Sequence, residues 1–144
     1  MAEKLFSNSD RGILLEAIKA AEKETSGEIQ VHIENHCKGD VLDRAAEVFE
    51  KLKMHKTKHR NAVLFYLAVE EHKFAILGDA GINKVVPENF WENIKEEMLL
   101  HFKTRAFTEG LRKGIEMSGQ QLQQHFPYEQ KGDINELPDE ISFG

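Results

Sequence analysis

The chain has 144 residues, 40% of them hydrophobic and 31% charged, with a formal net charge of −6. That is the make-up of one ordinary globular domain, long enough to bury a core without metal or disulfide staples. The acidic balance argues against nucleic acid as the main partner, because phosphate neutralisation needs a surplus of Lys and Arg; the single cysteine, Cys37, excludes an intrachain disulfide.

The opening MAEKLFSNSDRG has no apolar run of signal-peptide length. No later segment approaches the roughly 18–20 apolar residues that cross a bilayer. The expectation is a cytoplasmic chain without a transmembrane segment.

From Ser9 to Lys23, the residues Ile13, Leu14, Ala17, Ile18 and Ala21 recur at helical spacing and lay one apolar stripe. Ser7 or Ser9 is placed to cap the start. Gly27 to Glu34 then alternates, with Ile29, Val31 and Ile33 on one face and Glu28, Gln30 and His32 on the other, which is a strand pattern. Asp40 to Lys53 returns to helical period through Val41, Ala45, Val48, Phe49 and Leu52. The run NAVLFYLAV at 61–69 is apolar on both faces and reads as a central strand. After Glu70-Glu71-His72, KFAIL at 73–77 turns back antiparallel. Two helices follow, Glu88 to Thr104 and Phe107 to His125. Phe90, Trp91, Ile94, Met98, Leu99 and Phe102 sit at the spacing of core packing. Residues 129–144 carry five acids against one base, Lys131, and read as an acidic tail, draped on the surface or disordered, after a domain spanning 1–128.

A strand, a crossover helix and a second strand wind right-handed with the strands parallel, and the hairpin sets the third strand beside the second. The sheet order is then first, second, third, with helices on both faces. Since the third strand runs backwards, its last residues return to the edge where the other two begin. Gly78-Asp79-Ala80-Gly81 should therefore meet Thr25-Ser26-Gly27-Glu28 and His59-Arg60-Asn61. With strands about 4.8 Å apart, Glu28 and Asp79 would flank Asn61. The backbone at Ser26, Gly27, Gly78 and Gly81 can approach a ligand closely where glycine removes the side chain.

At these residues the chain resembles the TPM-domain family. The matching pieces are ETSGEIQVHI at 24–33, AAEVFEKLKM at 45–54, RNAVLFYLA at 60–68, LGDAGI at 77–82, and HFKTRAFTEGLRKGI at 101–115 with the closing HFP. The resemblance covers roughly residues 10 to 127. It implies a three-layer α/β/α sandwich and acidic and amide residues at loop ends that hold Ca²⁺ or another hard cation. A plant thylakoid member is described as an acid phosphatase, and many members are exported or membrane-anchored. This chain departs from the pattern in Arg60-Asn61-Ala62, where the family often shows Asp-Asn-Gly, and in Gly78-Asp79-Ala80-Gly81, where Gly-x-Gly is common.

Hard cations take oxygen ligands, so the expected metal set is Glu28, Asn61 and Asp79, supplemented by Ser26, backbone carbonyls and water, with Ca²⁺ preferred to Mg²⁺. The plain alternative is that Asp79 and Asn61 only bond turn amides. KLKMHKTKHR at 51–60 holds five Lys and Arg and no acid; Arg60 or Lys58 could hold an anion there. A solvated helix end explains the same run more simply. His55 and His59 have the spacing of zinc ligands on a helix, but the helix is ending and no third acidic ligand is close in sequence. In HCKGDVLDR at 36–44, Arg44 comes one residue too late after Cys37 for a cysteine-phosphatase loop, and Asp40 and Asp43 would repel the anion.

Two functions from different classes follow. One is a non-catalytic, cation-binding interaction module, monomeric, engaging another protein, with a membrane-associated partner in keeping with the family. Leu137, Ile141 and Phe143 of its tail would then dock on that partner, unless they pack on their own domain. The other is a metal-assisted acid phosphatase at the same loops, with Arg60 balancing charge. No complete catalytic constellation is visible in the sequence, which favours the first.

Overall fold

The computed structural model describes residues 2–128 and 141–144. After a 3₁₀ turn at Ala2–Leu5 come α1 (Asn8–Glu22), β1 (Glu28–Glu34), α2 (Val41–Lys51), a 3₁₀ turn at Met54–Lys56, β2 (Ala62–Ala68), β3 (Lys73–Gly78), α3 (Ala80–Asn83), α4 (Glu92–Phe102), α5 (Phe107–Gln123) and β4 (Ile141–Phe143). The starts have local causes. Ser7 caps α1 by accepting from the Asp10 N–H at 3.1 Å while the Asp10 carboxylate accepts from the Ser7 N–H at 3.0 Å, a reciprocal capping box. Asp40 caps α2 by accepting from the N–H groups of Leu42 and Asp43.

The strands form one mixed sheet in the order β3-β2-β1-β4. β1 and β2 are parallel over all seven residues, from Glu28 opposite Ala62 to Glu34 opposite Ala68, and β2 and β3 are antiparallel. Helices cover both faces. Ile29, Val31, Ile33, Val63, Phe65 and Leu67 pack with residues of α1, α4 and α5, among them Leu14, Ile18, Met98 and Leu111. On the opposite face Leu64, Tyr66 and Ala68 pack with Ala45, Val48 and Phe49 of α2. Each fully buried large apolar side chain contributes about 1.5–3 kcal/mol. The α/β fold with a mixed sheet and helices on both faces is the one the sequence predicts.

Two details differ from the sequence reading and a third goes beyond it. β4 lies within the stretch read as a tail; Ile141 to Phe143 pair in parallel with Val31 to Ile33 on the free edge of β1. Three residues preceded by two acids carry too little period to be recognised as a strand. Residues 129–140, including Leu137, lie outside the described residues. The fourth helix begins at Glu92 rather than Glu88, because Pro87 opens a turn closed by the Phe90 N–H on its carbonyl. Finally, the polar face of β1 is buried. Glu28, Gln30, His32 and Glu34 are each under 10% exposed, so these side chains need partners.

Candidate functional site

The antiparallel return of β3 brings three loop ends to one rim, where β1 and β2 begin and β3 ends. Main-chain bonds join them. The Glu28 N–H donates to the Asn61 carbonyl at 3.3 Å, the Asp79 N–H to Ala62 at 3.0 Å and the Gly81 N–H to Arg60 at 2.8 Å. Thr25 and Ser26 are held from behind by the turn that follows α5: the Ser26 N–H and the Thr25 hydroxyl both donate to the Phe126 carbonyl. Gly81 is required where it stands. A Cβ there would lie 2.1 Å from the His59 carbonyl oxygen and 2.6 Å from that of Arg60. Gly27 and Gly78 are buried in the same walls, Gly78 under the Trp91 ring.

The side chains of the rim make two pairs. Asn61, fully buried, donates from Nδ2 to the Ser26 hydroxyl at 3.2 Å. Asp79 takes a two-pronged bond from Arg60, Nε to Oδ2 at 2.6 Å and Nη2 to Oδ1 at 2.8 Å. Its Oδ1 also accepts from the Ala80 N–H at 2.7 Å, capping the short α3. Arg60 reaches Asp79 from a left-handed backbone, φ 51°, uncommon for a residue with a Cβ. Its hydrogen bonds and charge attraction to Asp79 raise the Arg60 pKa. Glu28 joins the rim through its backbone, and strand alternation sets its side chain on the face of Gln30, His32 and Glu34. Lys58 is exposed, two residues before Arg60.

A hard cation can use this donor set only in part. The Ser26 hydroxyl, the Asn61 amide oxygen, the Asp79 carboxylate and main-chain carbonyls are suitable oxygens, but the Asp79 carboxylate is already neutralised by Arg60. Among the described residues no group of three or more His, Cys, Asp or Glu side chains could hold a metal ion, the pair His55 and His59 included. Cation binding here therefore requires Arg60 to release Asp79. The Arg60 side chain is 49% exposed and can swing into water, whereas Asp79 is 6% exposed and cannot.

A second polar cluster, which the sequence reading did not single out, lies at the opposite ends of β1 and β2. Glu34 accepts from Arg44 Nε at 2.9 Å and Nη2 at 2.7 Å, from the Tyr66 hydroxyl, and from His32 Nε2 at 3.0 Å. Burial pushes the Glu34 carboxyl up, but the bonds from Arg44, Tyr66 and His32 more than offset it and hold it at about 2. Burial also raises the Tyr66 pKa, reinforced by its bond to Glu34. Burial lowers the His32 pKa against the opposing pull of Glu34. Because ionised Glu34 only accepts, His32 Nε2 carries the proton and Nδ1 is left to accept from the Ser142 hydroxyl 2.7 Å away. The sequence signal was available: His32 and Glu34 share one face of a strand, and Arg44 opens the helix that covers that face. Cys37 beside this cluster is buried, its thiol directed at the Gly39 carbonyl at 3.6 Å.

No helix among the described residues is long and apolar enough to cross a membrane. A family model described as the TPM domain matches residues 2–121. Among solved structures, the BA42 protein of the psychrophilic bacterium Bizionia argentinensis is 47% identical, with a TM-score of 0.91 over 96% of this chain and 95% of that one. The N-terminal domain of a protein from P. gingivalis is 18% identical with a TM-score of 0.70, over 85% of this chain and 79% of that one. The N-terminal domain of the cg2496 protein of Corynebacterium glutamicum is 13% identical with a TM-score of 0.65, over 94% and 79%. The last two share the fold alone. No curated protein matches the chain.

Proposed function

Since the chain belongs to the TPM-domain family, we propose that it is a non-catalytic interaction module whose rim, at Ser26, Asn61 and Asp79, takes up a divalent cation, Ca²⁺ before Mg²⁺, in exchange for Arg60. The observation that carries this reading is the pairing of a buried, immobile Asp79 with a half-exposed Arg60. A guanidinium with water on one side is a replaceable counter-charge. Ser26 and Asn61 lie on the neighbouring strands' loop ends with oxygens of the kind Ca²⁺ accepts. Its partner is another protein, met at these loop ends.

A phosphatase at the same loops would need an aligned water and a base of matched pKa. The rim's side-chain carboxylate, Asp79, is either paired with Arg60 or taken up as a cation ligand, so in neither state does it supply that base. Binding rather than hydrolysis is the better use of such a site.

The test is an NMR titration of the whole chain with Ca²⁺ and, separately, Mg²⁺. Amide shifts that saturate at 26–28, 60–62 and 78–81 are expected, together with a Ca²⁺-dependent rise in melting temperature that Asp79→Ala removes. Shifts scattered over the surface, or a melting rise that survives in Asp79→Ala, would overturn the reading.

A further inference from the structure

We infer that the outer edge of β1 is a strand-receiving site for an extended segment of a partner protein that carries the pattern apolar residue, Ser, Phe, Gly, and that β4 is the chain's own occupant of that site. The inference deepens the interaction-module reading by naming the partner's chemistry, and it needs no cation.

The site is built for that pattern. Ile141 to Phe143 pair with Val31 to Ile33, and the Gly144 N–H continues the ladder by donating to the Ile33 carbonyl at 2.9 Å. Each position then meets a different receptor. Ile141 and Phe143 pack against the main core. The Ser142 hydroxyl meets His32 Nδ1 at 2.7 Å, and His32 is fixed in the accepting tautomer by Glu34. The Phe143 ring lies edge-on to Phe6 at 6.4 Å, with the Arg11 guanidinium 4.7 Å from its centre. At position 144 a Cβ would fall 2.2 Å from Glu34 Oε1 and 2.8 Å from His32 Nε2, so a larger residue there has to displace those two side chains. Main-chain bonds thus supply affinity while alternate positions supply selectivity, as in strand addition to a sheet edge.

Two observations make the resident strand exchangeable. Among the described residues it covers three of the seven residues of β1, whereas β2 covers all seven on the other side, and its three residues are all half-buried. Short, half-buried edge elements open at the low end of a protein's free-energy range. Ahead of β4, the edge is closed by a side chain: the Ile29 N–H donates to Glu22 Oε2 at 3.0 Å. A carboxylate stands there in place of a strand carbonyl. A partner segment extended by a few residues before its apolar position would replace Glu22 as well as β4, and so reach the Ile29 N–H with a main-chain carbonyl.

The resident strand competes as a tethered ligand at an effective concentration on the order of millimolar. The probe is a fluorescein-labelled peptide with the sequence of residues 133–144, added to the full chain in the presence of EDTA and followed by anisotropy. The full chain with Phe143→Ala, whose own strand is weakened, should bind it at least about tenfold more tightly than the unsubstituted chain. Binding should shift the amides of Val31 to Ile33 and should fail for a peptide whose Phe is replaced by Ala. Should Phe143→Ala not fold, as judged by circular dichroism, Ser142→Ala serves in its place.

Absence of binding to a folded variant would overturn the proposal, as would equal binding by variant and unsubstituted chain or by the Ala peptide. Self-association of the unsubstituted chain in sedimentation equilibrium, abolished by Phe143→Ala, would put a second copy on the edge and overturn it too. Because EDTA removes the cation, a failed peptide assay and a failed Ca²⁺ titration report on separate claims.

Discussion

Replacing Glu34 by Gln should remove most of a pH-dependent contribution that the wild-type chain loses in acid. The folded pKa is about 2 against an ordinary 4.5, so the carboxylate is depressed. A depressed carboxyl stabilises the fold above the unfolded value and loses that contribution as pH falls towards the folded one. The window is therefore pH 4.5 down to 2. A shift of about 2.5 units corresponds to about 3 kcal/mol. Glu34 is 7% exposed but Arg44 is 33% exposed, and solvent screening on the Arg44 side trims the figure to about 2–3 kcal/mol. His32 acts with the same sign from a higher start. Its lowered pKa means the unfolded chain takes up a proton first, so stability also falls as pH drops below about 6.5. Urea unfolding followed by circular dichroism at pH 7, 5, 3 and 2, run on both chains, isolates the Glu34 contribution by difference. Between pH 5 and 2 the wild type should lose about 2–3 kcal/mol more than Glu34→Gln. Parallel losses in the two chains across that interval would refute the assignment.

Tyr66→Phe deletes one donor to the same carboxylate and should cost about 1–3 kcal/mol at pH 7 in urea unfolding, while moving the Glu34 acid window upward. Gly81→Ala sets a methyl against two main-chain carbonyls that cannot rotate away, so thermal or urea melts should show a loss of about 2–3 kcal/mol. Arg60→Gln removes the counter-charge that a cation must displace from Asp79, and calorimetry should find Ca²⁺ binding tighter by about threefold; weaker binding would show that Arg60 does not compete.

The strands of the centre and the helix stripes were legible because their side-chain periods are strong. NAVLFYLAV has no polar face to hide, and Leu14, Ala17, Ile18 and Ala21 fall on one side of a helix and are buried there. The meeting of the three loop ends was legible as well, since it follows from strand direction alone. The partners of Asp79 were not. Which of Arg60, a turn amide or a ligand meets that carboxylate depends on a left-handed φ at Arg60 and on side-chain torsions that no periodicity records. The partners of the polar face of β1 were not legible either, for a different reason. Alternation reports that Glu28, Gln30 and His32 share a face, and a half-buried strand would turn that face to water. Arg44, Tyr66 and Ser142 instead satisfy much of it in the interior, and the last of these comes from a strand more than a hundred residues later in the chain.

Both ends of the sheet use one device, an arginine fork on a buried carboxylate, yet the two serve different ends. At Glu34 the acid has four donors from three side chains, Arg44, Tyr66 and His32, so releasing Arg44 alone leaves the charge still held. Such a cluster resists exchange and stabilises the crossing of β1, α2 and β2. At Asp79 the side-chain charge comes from Arg60 alone among the described pairs, with one main-chain N–H beside it. Release of Arg60 there leaves a buried carboxylate short of positive charge, a state that a divalent ion relieves and that water relieves poorly. The difference in donor number, more than the difference in location, is the ground on which we propose exchange at one end and stability at the other.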